Sequence, residues 1–319
     1  MAARIFIDGQ AGTTGLKIRE RLRARTDVDV VTLPEEARRD VRARETLLNS
    51  VDLAILCLPD DAAREAVALI RNPAVKVLDA SSAHRTTPGW VYGLPELVSD
   101  QRGAIARAAR VSNPGCHATG FIASIRPLVD ARLVPPQTAI SVHSLSGYSG
   151  AGKEMIAAYE AESSAGGAPG FALYGLELAH KHGAEMRAFG GLERVPLFVP
   201  GIGNFRCGLV TVVPLHLWAL PGTVRGRDVH EALAERYRGE KFVRVMPFDD
   251  RAELRGGKYL DAELVNGTNW LDLFVYCNDE RREAVVVARF DNLGKGASGA
   301  AVQNMNLMLG LTEGAGLDA

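Results

Sequence analysis

The sequence predicts an α/β protein: a Rossmann-type doubly wound parallel sheet, followed by an α+β region with a mixed sheet. Three observations support this prediction. Strand and helix patterns alternate over the first third of the chain, a glycine-rich turn follows the first strand, and strand-like runs dominate after residue 138. Alternating strands and helices favour parallel sheets, whereas consecutive strands favour mixed or antiparallel ones.

The first third contains the alternating elements. Residues 51–58 form a near-continuous apolar run, which is typical of a central parallel strand covered on both faces. The other predicted elements are strands at residues 4–8, 28–33 and 75–78 and helices at residues 14–25 and from 60 to before Pro73.

The pattern changes near residue 113, and we expect two domains. One is a nucleotide-binding domain of residues 1–114, completed by a C-terminal helix within residues 296–319. The other, residues 115–295, is expected to carry catalysis and oligomerisation. Its predicted elements are a mobile loop at residues 162–170 and strands at residues 139–142, 209–213, 242–245, 270–276 and 284–289. A helix is predicted at residues 297–311, after the end of this domain.

Composition excludes several classes of protein. The 319 residues include 37 Lys and Arg against 38 Asp and Glu, and this balance predicts neither nucleic acid nor a membrane surface as partner. The four cysteines form no closely spaced ligand pair, so we expect reduced thiols in a cytoplasmic protein. The first predicted strand begins at residue 4, which leaves no room for a signal peptide.

The glycine-rich turn predicts a dinucleotide site. Gly9, Gly12 and Gly15 allow a tight turn in which backbone N–H groups approach a pyrophosphate, and Thr13 and Thr14 open the following helix. The GxxGxxG spacing is weak by itself, and an ordinary turn is the alternative. The preceding strand and the following helix favour the dinucleotide interpretation.

The second strand favours NADP over NAD. An NAD site usually has an acidic residue at the tip of that strand, and residues 31–34 contain none. Arg38 and Arg39 follow, and guanidinium groups match the geometry of a 2′-phosphate. The alternative for both arginines is a solvated helix face.

Cys116 is the candidate nucleophile. It lies in the run Ser-Asn-Pro-Gly-Cys-His at residues 112–117, before an apolar, helix-like stretch. Backbone N–H groups at a helix start favour the thiolate form of a cysteine. The alternative interpretation is that Cys116 is a small buried hydrophobic residue without a chemical role. A nucleotide cofactor together with an activated cysteine indicates aldehyde–acyl interconversion through a thioester.

Such chemistry requires an acid/base group near the sulfur, and histidine suits neutral pH. His180 and His182 form the most informative pair, while Glu185 either orients a ring or caps a helix. A metal site is the rival interpretation of the pair, and we expect none because further ligands are missing. His117 adjoins the nucleophile, but successive residues at a helix start point in different directions.

Hydroxyls, glycines and a lysine follow the strand predicted at residues 139–142. This segment suits an acyl phosphate or free phosphate, but it is not a P-loop, because Glu154 follows Lys153. A flexible solvent loop is the alternative. The candidate residues are Ser146, Gly147, Tyr148, Ser149 and Lys153.

Several motifs in order resemble the shorter form of the N-acetyl-gamma-glutamyl-phosphate reductases of arginine biosynthesis. The resemblance covers nearly the whole chain and combines the turn at residues 9–15 with the Cys116 run and the histidine pair. The other motifs are Asp-Ala-Ser-Ser-Ala-His-Arg at 79–85, Tyr-Gly-Leu-Pro-Glu at 92–96, the 146–153 segment, and Asn-Leu-Gly-Lys-Gly-Ala-Ser-Gly at 292–299 with Val-Gln-Asn at 302–304.

The resemblance implies NADPH-dependent reduction of an acyl phosphate to a semialdehyde with release of phosphate. It assigns Cys116 as nucleophile and His182 as acid/base, with Asn113, His180 and Glu185 near the substrate. A homo-dimer or homo-tetramer is expected, and the tail near residues 292–296 is expected to close the cofactor site. Ser81, Ser82, Asn292 and Gly296 are the further cofactor contacts that it implies.

Two departures from the family pattern are visible. His117 stands where relatives more often have tyrosine, and Arg206-Cys207-Gly208 stands where relatives often have glutamine before the glycine.

Three alternatives remain. Aspartate-semialdehyde dehydrogenase is disfavoured because no histidine follows Arg-Val-Pro at residues 194–196. A reductase of carrier-protein-linked glutamyl or aminoadipyl phosphate needs a basic patch that is not visible. A non-catalytic NADP-sensing regulator needs the turn but not Cys116.

Overall fold

The computed structural model describes residues 2–38 and 40–318, and its backbone divides into two compact units. Unit 1 comprises the chain up to Gly115 together with Ala297–Asp318, and unit 2 comprises Cys116–Gly296. The division lies where the sequence pattern changes from alternating elements to consecutive strands.

Unit 1 contains a six-stranded sheet in the order β2-β1-β3-β4-β6-β5, in which all the paired strands are parallel. This confirms the predicted Rossmann-type sheet. Its strands are β1 (Ala3–Asp8), β2 (Val28–Val31), β3 (Leu53–Leu56), β4 (Lys76–Asp79), β5 (Val91–Tyr92) and β6 (Arg110–Ser112), and its helices are α1 (Thr13–Leu22), α2 (Val41–Leu48), α3 (Asp60–Leu69), α4 (Gln101–Arg107) and α9 (Gly299–Met308).

Helices cover both faces of this sheet. On one face, Ile55 of β3 belongs to a buried cluster with Ile18 of α1 and Met305 of α9. On the other face, Leu56 belongs to a cluster with Leu48 of α2. Burial on both sides explains why the sequence of β3 is continuously apolar instead of alternating.

Unit 2 contains a mixed seven-stranded sheet in the order β11-β14-β15-β10-β7-β9-β8, as the sequence predicts. Its strands are β7 (Ser141–Gly147), β8 (Phe171–Leu173), β9 (Leu197–Gly203), β10 (Leu209–His216), β11 (Val243–Val245), β14 (Leu271–Asn278) and β15 (Glu283–Phe290). A separate hairpin is formed by β12 (Leu254–Arg255) and β13 (Tyr259–Leu260). The helices of unit 2 are α5 (Cys116–Asp130), α6 (Lys153–Ser164), α7 (Gly183–Gly190) and α8 (Gly226–Arg236).

Helix α5 packs closely on this sheet because of Gly120. A Cβ atom at Gly120 would lie 2.7 Å from the Phe290 ring and 2.8 Å from Thr211 Oγ1. Thr211 is fully buried on the helix side of β10, while its neighbours Val210 and Val212 are half-buried on the opposite face. Because fully buried and half-buried residues alternate along β10, we infer that no helix covers the second face of the sheet at these residues.

Several predicted boundaries are wrong. The strand predicted at residues 139–142 is β7, which extends from Ser141 to Gly147 because it pairs with both β9 and β10. Ser146 and Gly147 are therefore strand residues, Tyr148–Ala151 form a 3₁₀ helix, and Lys153 begins α6. Helix α6 reaches Ser164, so the loop predicted from residue 162 begins later.

Four helices have no counterpart in the sequence prediction: α2, α4, α6 and α8. Charged residues interrupt each of these helices, so their apolar periodicity is weak. The helix predicted at residues 14–25 ends at Leu22, and a π-helical turn, Gly294–Ser298, precedes α9. Within residues 2–38 and 40–318, no helix combines the length and apolarity needed to span a membrane.

A buried charge network in unit 2 leads to a prediction about the stability of the protein. Arg289 Nη2 lies 2.8 Å from Asp272 Oδ2, and both side chains are almost fully buried. We expect Asp272→Ala to lower the free energy of unfolding by about 3–5 kcal/mol, since it leaves a buried guanidinium undercompensated. Urea unfolding followed by the fluorescence of the three tryptophans measures this. Glu235→Ala, which removes an exposed pair with Arg238, is the control and should change stability little.

Candidate active site

The glycine turn of unit 1 brings two backbone segments into close contact. Gly9 has φ +87°, and a Cβ atom there would lie 2.2 Å from the carbonyl oxygen of Cys57. A Cβ atom at Gly15 would lie 2.7 Å from the carbonyl oxygen of Gly9. The turn after β1 therefore requires glycine at both positions, for conformation at the first and for space at both.

The turn leads directly into α1, whose N-cap is Gly12. Its first-turn N–H groups, at Thr13, Thr14 and Gly15, lack helical acceptors, and the first turn contains no acidic residue. The hydroxyl of Thr13 is buried and has no hydrogen-bond partner among the described residues. These donors fit a pyrophosphate at the positive end of the helix.

The end of β2 carries the candidate 2′-phosphate contacts. Arg38 is exposed, and its guanidinium lies 3.7 Å from the exposed carboxylate of Glu35. Arg39 lies outside the described residues. Arg44, which the sequence analysis did not single out, pairs at 2.7 Å with Asp8 at the end of β1.

Ser81 and Ser82 follow β4 and are held by carboxylates. The Ser81 hydroxyl donates to Asp79 Oδ2 at 2.7 Å, and the Ser82 hydroxyl donates to Asp60 Oδ2 at 2.7 Å. His84 Nδ1 also lies 2.6 Å from Asp79. Both serines therefore belong to a fixed polar loop at the carboxyl end of β4, the edge at which parallel sheets bind ligands.

Asn113 fixes the loop that leads to the candidate nucleophile. Its Nδ2 donates to the carbonyl of Ala297 at 3.1 Å, and its Oδ1 accepts from Asn304 at 3.1 Å. Its carbonyl oxygen accepts from Arg85. The side chain is thus engaged within unit 1, where it ties the loop to the C-terminal segment.

Cys116 is the first residue of α5 and is half-buried. This position places the sulfur where the first-turn N–H groups and the helix dipole favour negative charge. Gly296 packs against it: a Cβ atom at Gly296 would lie 3.0 Å from Cys116 Cβ. Space beside the cysteine therefore depends on glycine at position 296.

Three histidines form a cluster beside Cys116. The ring of His117 lies 5.5 Å from His182 and 6.1 Å from His180, measured between centroids, and the rings of His180 and His182 are 4.7 Å apart. Phe198 packs against His117 and His180. The structure thus joins the predicted pair to His117, whose direction the sequence alone did not fix.

The histidines differ in environment. His182 is the N-cap residue of α7, and its Nε2 lies 3.9 Å from Oε1 of the buried Glu185. This arrangement fits an imidazole that is oriented by a carboxylate one turn along the helix. Burial and the neighbouring His180 lower the pKa of His117 to about 3, so His117 is neutral under ordinary conditions. Only the other two histidines remain candidates for acid/base work.

The hydroxyl segment of unit 2 is linked to the C-terminal tail through Asn292. Its Nδ2 donates to Ser149 Oγ at 3.0 Å, and its Oδ1 accepts from the N–H of Gly208 at 2.9 Å. The Ser146 hydroxyl is buried in β7, whereas Lys153 is exposed at the start of α6. Ser146 and Asn292 also meet beside Gly150, where a Cβ atom would lie 3.1 Å from Ser146 Oγ and 3.2 Å from Asn292 Nδ2.

Among the residues that sequence analysis did not single out, Asp79 holds the serines after β4, and Ser144, Tyr174 and Thr211 surround His117. Tyr174 hydrogen-bonds to the ring of His117, and Ser144 and Thr211 continue that chain into the sheet. Tyr174 lies in the segment that carries the histidine pair, so its position was a usable signal. Among residues 2–38 and 40–318, no group of three or more His, Cys, Asp or Glu side chains is arranged to hold a metal ion.

Two family models match this chain, and both describe semialdehyde dehydrogenases. The model for the semialdehyde dehydrogenase NAD binding domain matches residues 4–105, and the model for the semialdehyde dehydrogenase dimerisation domain matches residues 116–292. Solved aspartate semialdehyde dehydrogenases share the fold: one from Vibrio cholerae, complexed with ASA, has a TM-score of 0.73 at 15% identity. One from Candida albicans, solved with NADP, has a TM-score of 0.64 at 14% identity. These two alignments cover 97% of this chain and 98% and 99% of the respective structures.

Closer relatives identify the particular family. An N-acetyl-gamma-glutamyl-phosphate reductase 2 from Nostoc is 52% identical over 98% of this chain and 99% of its own. The Pseudomonas putida protein of the same name is 51% identical over 98% of both chains. The chain therefore belongs to the N-acetyl-gamma-glutamyl-phosphate reductase family.

The glycine turn yields a direct test. We expect Gly9→Ala to weaken NADP(H) binding by about tenfold or more, because backbone strain is combined with a clash against Cys57. Gly89→Ala is the matched control: its φ is +84°, but a Cβ atom there would meet no other atom within 4 Å. Isothermal calorimetry should show near-unchanged affinity for the control. Equal losses in both variants would contradict the role of the close approach.

Proposed function

We propose that the chain catalyses NADPH-dependent reduction of N-acetylglutamyl 5-phosphate to the 5-semialdehyde, through a thioester on Cys116, in arginine biosynthesis. The observation that carries the mechanism is a half-buried cysteine at the start of α5 beside the histidine cluster. The substrate is inferred from the relatives, which match over nearly their full length.

In this proposal the Cys116 thiolate attacks the acyl carbon of the substrate. The S–C bond forms, the C–O bond to phosphate breaks, and phosphate leaves with the electron pair. First-turn N–H groups of α5 stabilise the negative charge on the carbonyl oxygen; loss of one such donor in other enzymes costs about 3 kcal/mol. We assign phosphate contacts to Ser146, Gly147, Tyr148 and Ser149, with Lys153 at the outer end.

NADPH, when bound, would supply the hydride that reduces the thioester carbon. His182 then protonates the oxygen of the tetrahedral species and takes the proton back as the C=O bond reforms and the C–S bond breaks. The buried Glu185 keeps the His182 ring oriented through both steps. We assign His180 and Asn113 to positioning of the substrate and its loop.

Unit 1 is proposed to hold the dinucleotide. The pyrophosphate is assigned to the turn Gly9–Gly15 with Thr13 and Thr14, and the serines after β4 lie at the ligand-binding edge of the sheet. Arg38 or Arg39 is assigned to the 2′-phosphate, which selects NADP(H). Asn292 and Gly296 are assigned as further cofactor contacts. We assign the protein to the cytoplasm, where a reducing environment keeps cysteines as thiols.

The reverse reaction tests the proposed function. With phosphate and NADP, we expect turnover of N-acetylglutamate semialdehyde and at most weak turnover of aspartate semialdehyde, measured as NADPH absorbance. Cys116→Ala should abolish turnover, because no thioester can form. Its control is Cys277→Ala, since desolvation and the neighbouring Asp279 and Asp249 raise the pKa of the Cys277 thiol and leave it unreactive. A Cys116→Ala variant that retains turnover would contradict the thioester mechanism.

We also propose that unit 2 mediates self-association through the uncovered face of its sheet. Val199, Val210, Val212 and Val285 lie on this face by register and are half-buried, and Leu197 beside them is 51% exposed. The matching family model is that of a dimerisation domain. A second copy of the chain, as homo-dimer or within a homo-tetramer, is the occupant that fits an apolar sheet face.

Sedimentation analysis tests this interface. We expect Leu197→Arg to shift the protein towards the mass of a single chain, because the charge would be buried against the apolar face of the second copy. Val41→Arg replaces an equally exposed aliphatic residue of unit 1 and should leave the assembly unchanged. Dissociation by both variants, or by neither, would count against the assigned face.

A further inference from the structure

Gln10, the residue after the first glycine of the turn, is buried although it lies in a loop. Only 7% of the residue is exposed, and its side-chain oxygen Oε1 has no hydrogen-bond partner among the described residues. A buried amide oxygen that no group of the protein satisfies is costly and rare. The turn therefore holds a polar group whose partner its own packing does not supply.

The other glutamines of unit 1 are similarly buried and have partners. Gln101 is 8% exposed, and its Nε2 donates to the carbonyl oxygen of Tyr92. Gln303 is fully buried, and its Nε2 donates to Glu96 Oε1 at 2.9 Å. Burial of these two amides is thus compensated within the protein, and the side-chain oxygen of Gln10 lacks this compensation.

Gln10 lies against the first turn of α1. A Cβ atom at Gly15 would lie 2.9 Å from the Cα of Gln10, so the residue packs beside the end of the helix at which backbone N–H groups are open. The hydroxyl of Thr13, in the same turn of the helix, is also buried and without a partner among the described residues. One short segment thus combines an unsatisfied acceptor, an unsatisfied hydroxyl and open N–H groups.

These groups match the two kinds of polar group that a dinucleotide presents. Pyrophosphate oxygens only accept hydrogen bonds, so they fit the N–H groups and the hydroxyl of Thr13. An amide oxygen needs a donor, and the donors of a dinucleotide are its ribose hydroxyls and its amino and carboxamide N–H groups. Pyrophosphate alone would leave the oxygen of Gln10 unsatisfied, whereas a whole dinucleotide has partners for both kinds of group.

We propose that Gln10 is a cofactor-binding residue, whose side-chain oxygen accepts a hydrogen bond from a ribose hydroxyl or an N–H group of NADP(H). The proposal deepens the proposed function and rests on its assignment of the dinucleotide to this turn. In the free protein the amide is buried at a cost, and the missing partner comes with the bound cofactor. Gln10 thus lowers the stability of the free protein and raises its affinity for NADP(H).

The variant Gln10→Met separates these two effects, because methionine has a similar length and no amide. We expect the melting temperature of the cofactor-free protein to rise by about 2 °C, since an unsatisfied polar group is removed. We expect the affinity for NADP(H), measured by isothermal calorimetry, to fall about tenfold, since binding no longer satisfies that group. A merely structural role of Gln10 would not produce these opposite changes.

Gln101→Met is the matched control, because it replaces a similarly buried glutamine of the same unit and removes its hydrogen bond to Tyr92. This variant should melt below the wild-type protein and bind NADP(H) with wild-type affinity. An unchanged affinity in Gln10→Met would overturn the proposal. A fall of both melting temperature and affinity in Gln10→Met would also overturn it, since that result indicates a structural role in the turn.

Adenosine 2′,5′-bisphosphate, which lacks the nicotinamide half of the cofactor, identifies the donor. If Gln10→Met weakens binding of this fragment as much as binding of NADP(H), the donor belongs to the adenosine half. If the variant weakens binding of NADP(H) alone, the donor belongs to the nicotinamide half. Either result supports a direct contact of Gln10 with the cofactor.

The wild-type protein separates this proposal from the proposed function. If the wild-type protein does not bind NADP(H), the proposed function fails and the role of Gln10 fails with it. If the wild-type protein binds NADP(H) and Gln10→Met binds it equally well, only the present proposal fails.

Discussion

The close packing of α5 on the sheet of unit 2 is the constraint on which the site depends. Gly120 allows the helix to approach Phe290 and Thr211 to distances that a side chain would prevent. This approach fixes the start of the helix, where Cys116 and His117 lie. It also seals the polar face of Thr211 from water, so that its hydrogen bond must be made within the protein.

Burial then determines the chemical role of each histidine. His117 lies deepest and is kept neutral, so it serves as a hydrogen-bonding link and not as a proton carrier. His182 lies at the start of a helix with Glu185 one turn along, a setting that suits the acid/base role proposed for it. The same residue type therefore suits two different tasks, because the local dielectric and the neighbouring groups differ.

Much of both units followed from the sequence, because their patterns are local. The continuously apolar stretch of β3 predicted a strand covered on both sides, and the spacing of Gly9, Gly12 and Gly15 placed a turn between a strand and a helix. The extent of β7 did not follow, since it depends on pairing with two distant strands. Serine and glycine residues there favour a loop locally, and the sheet overrides this preference.

The residues that the sequence by itself determined are those whose chemistry needs only their near neighbours: Cys116 at a helix start, the glycine turn, and the pair His180 and His182. Only the tertiary structure decided which groups surround them. It placed Tyr174 against His117, whose partners are far away in the chain, and it buried the hydroxyls that orient the ring. Hydrogen-bond direction and burial arise from the whole packing of a unit, so no local pattern encodes them.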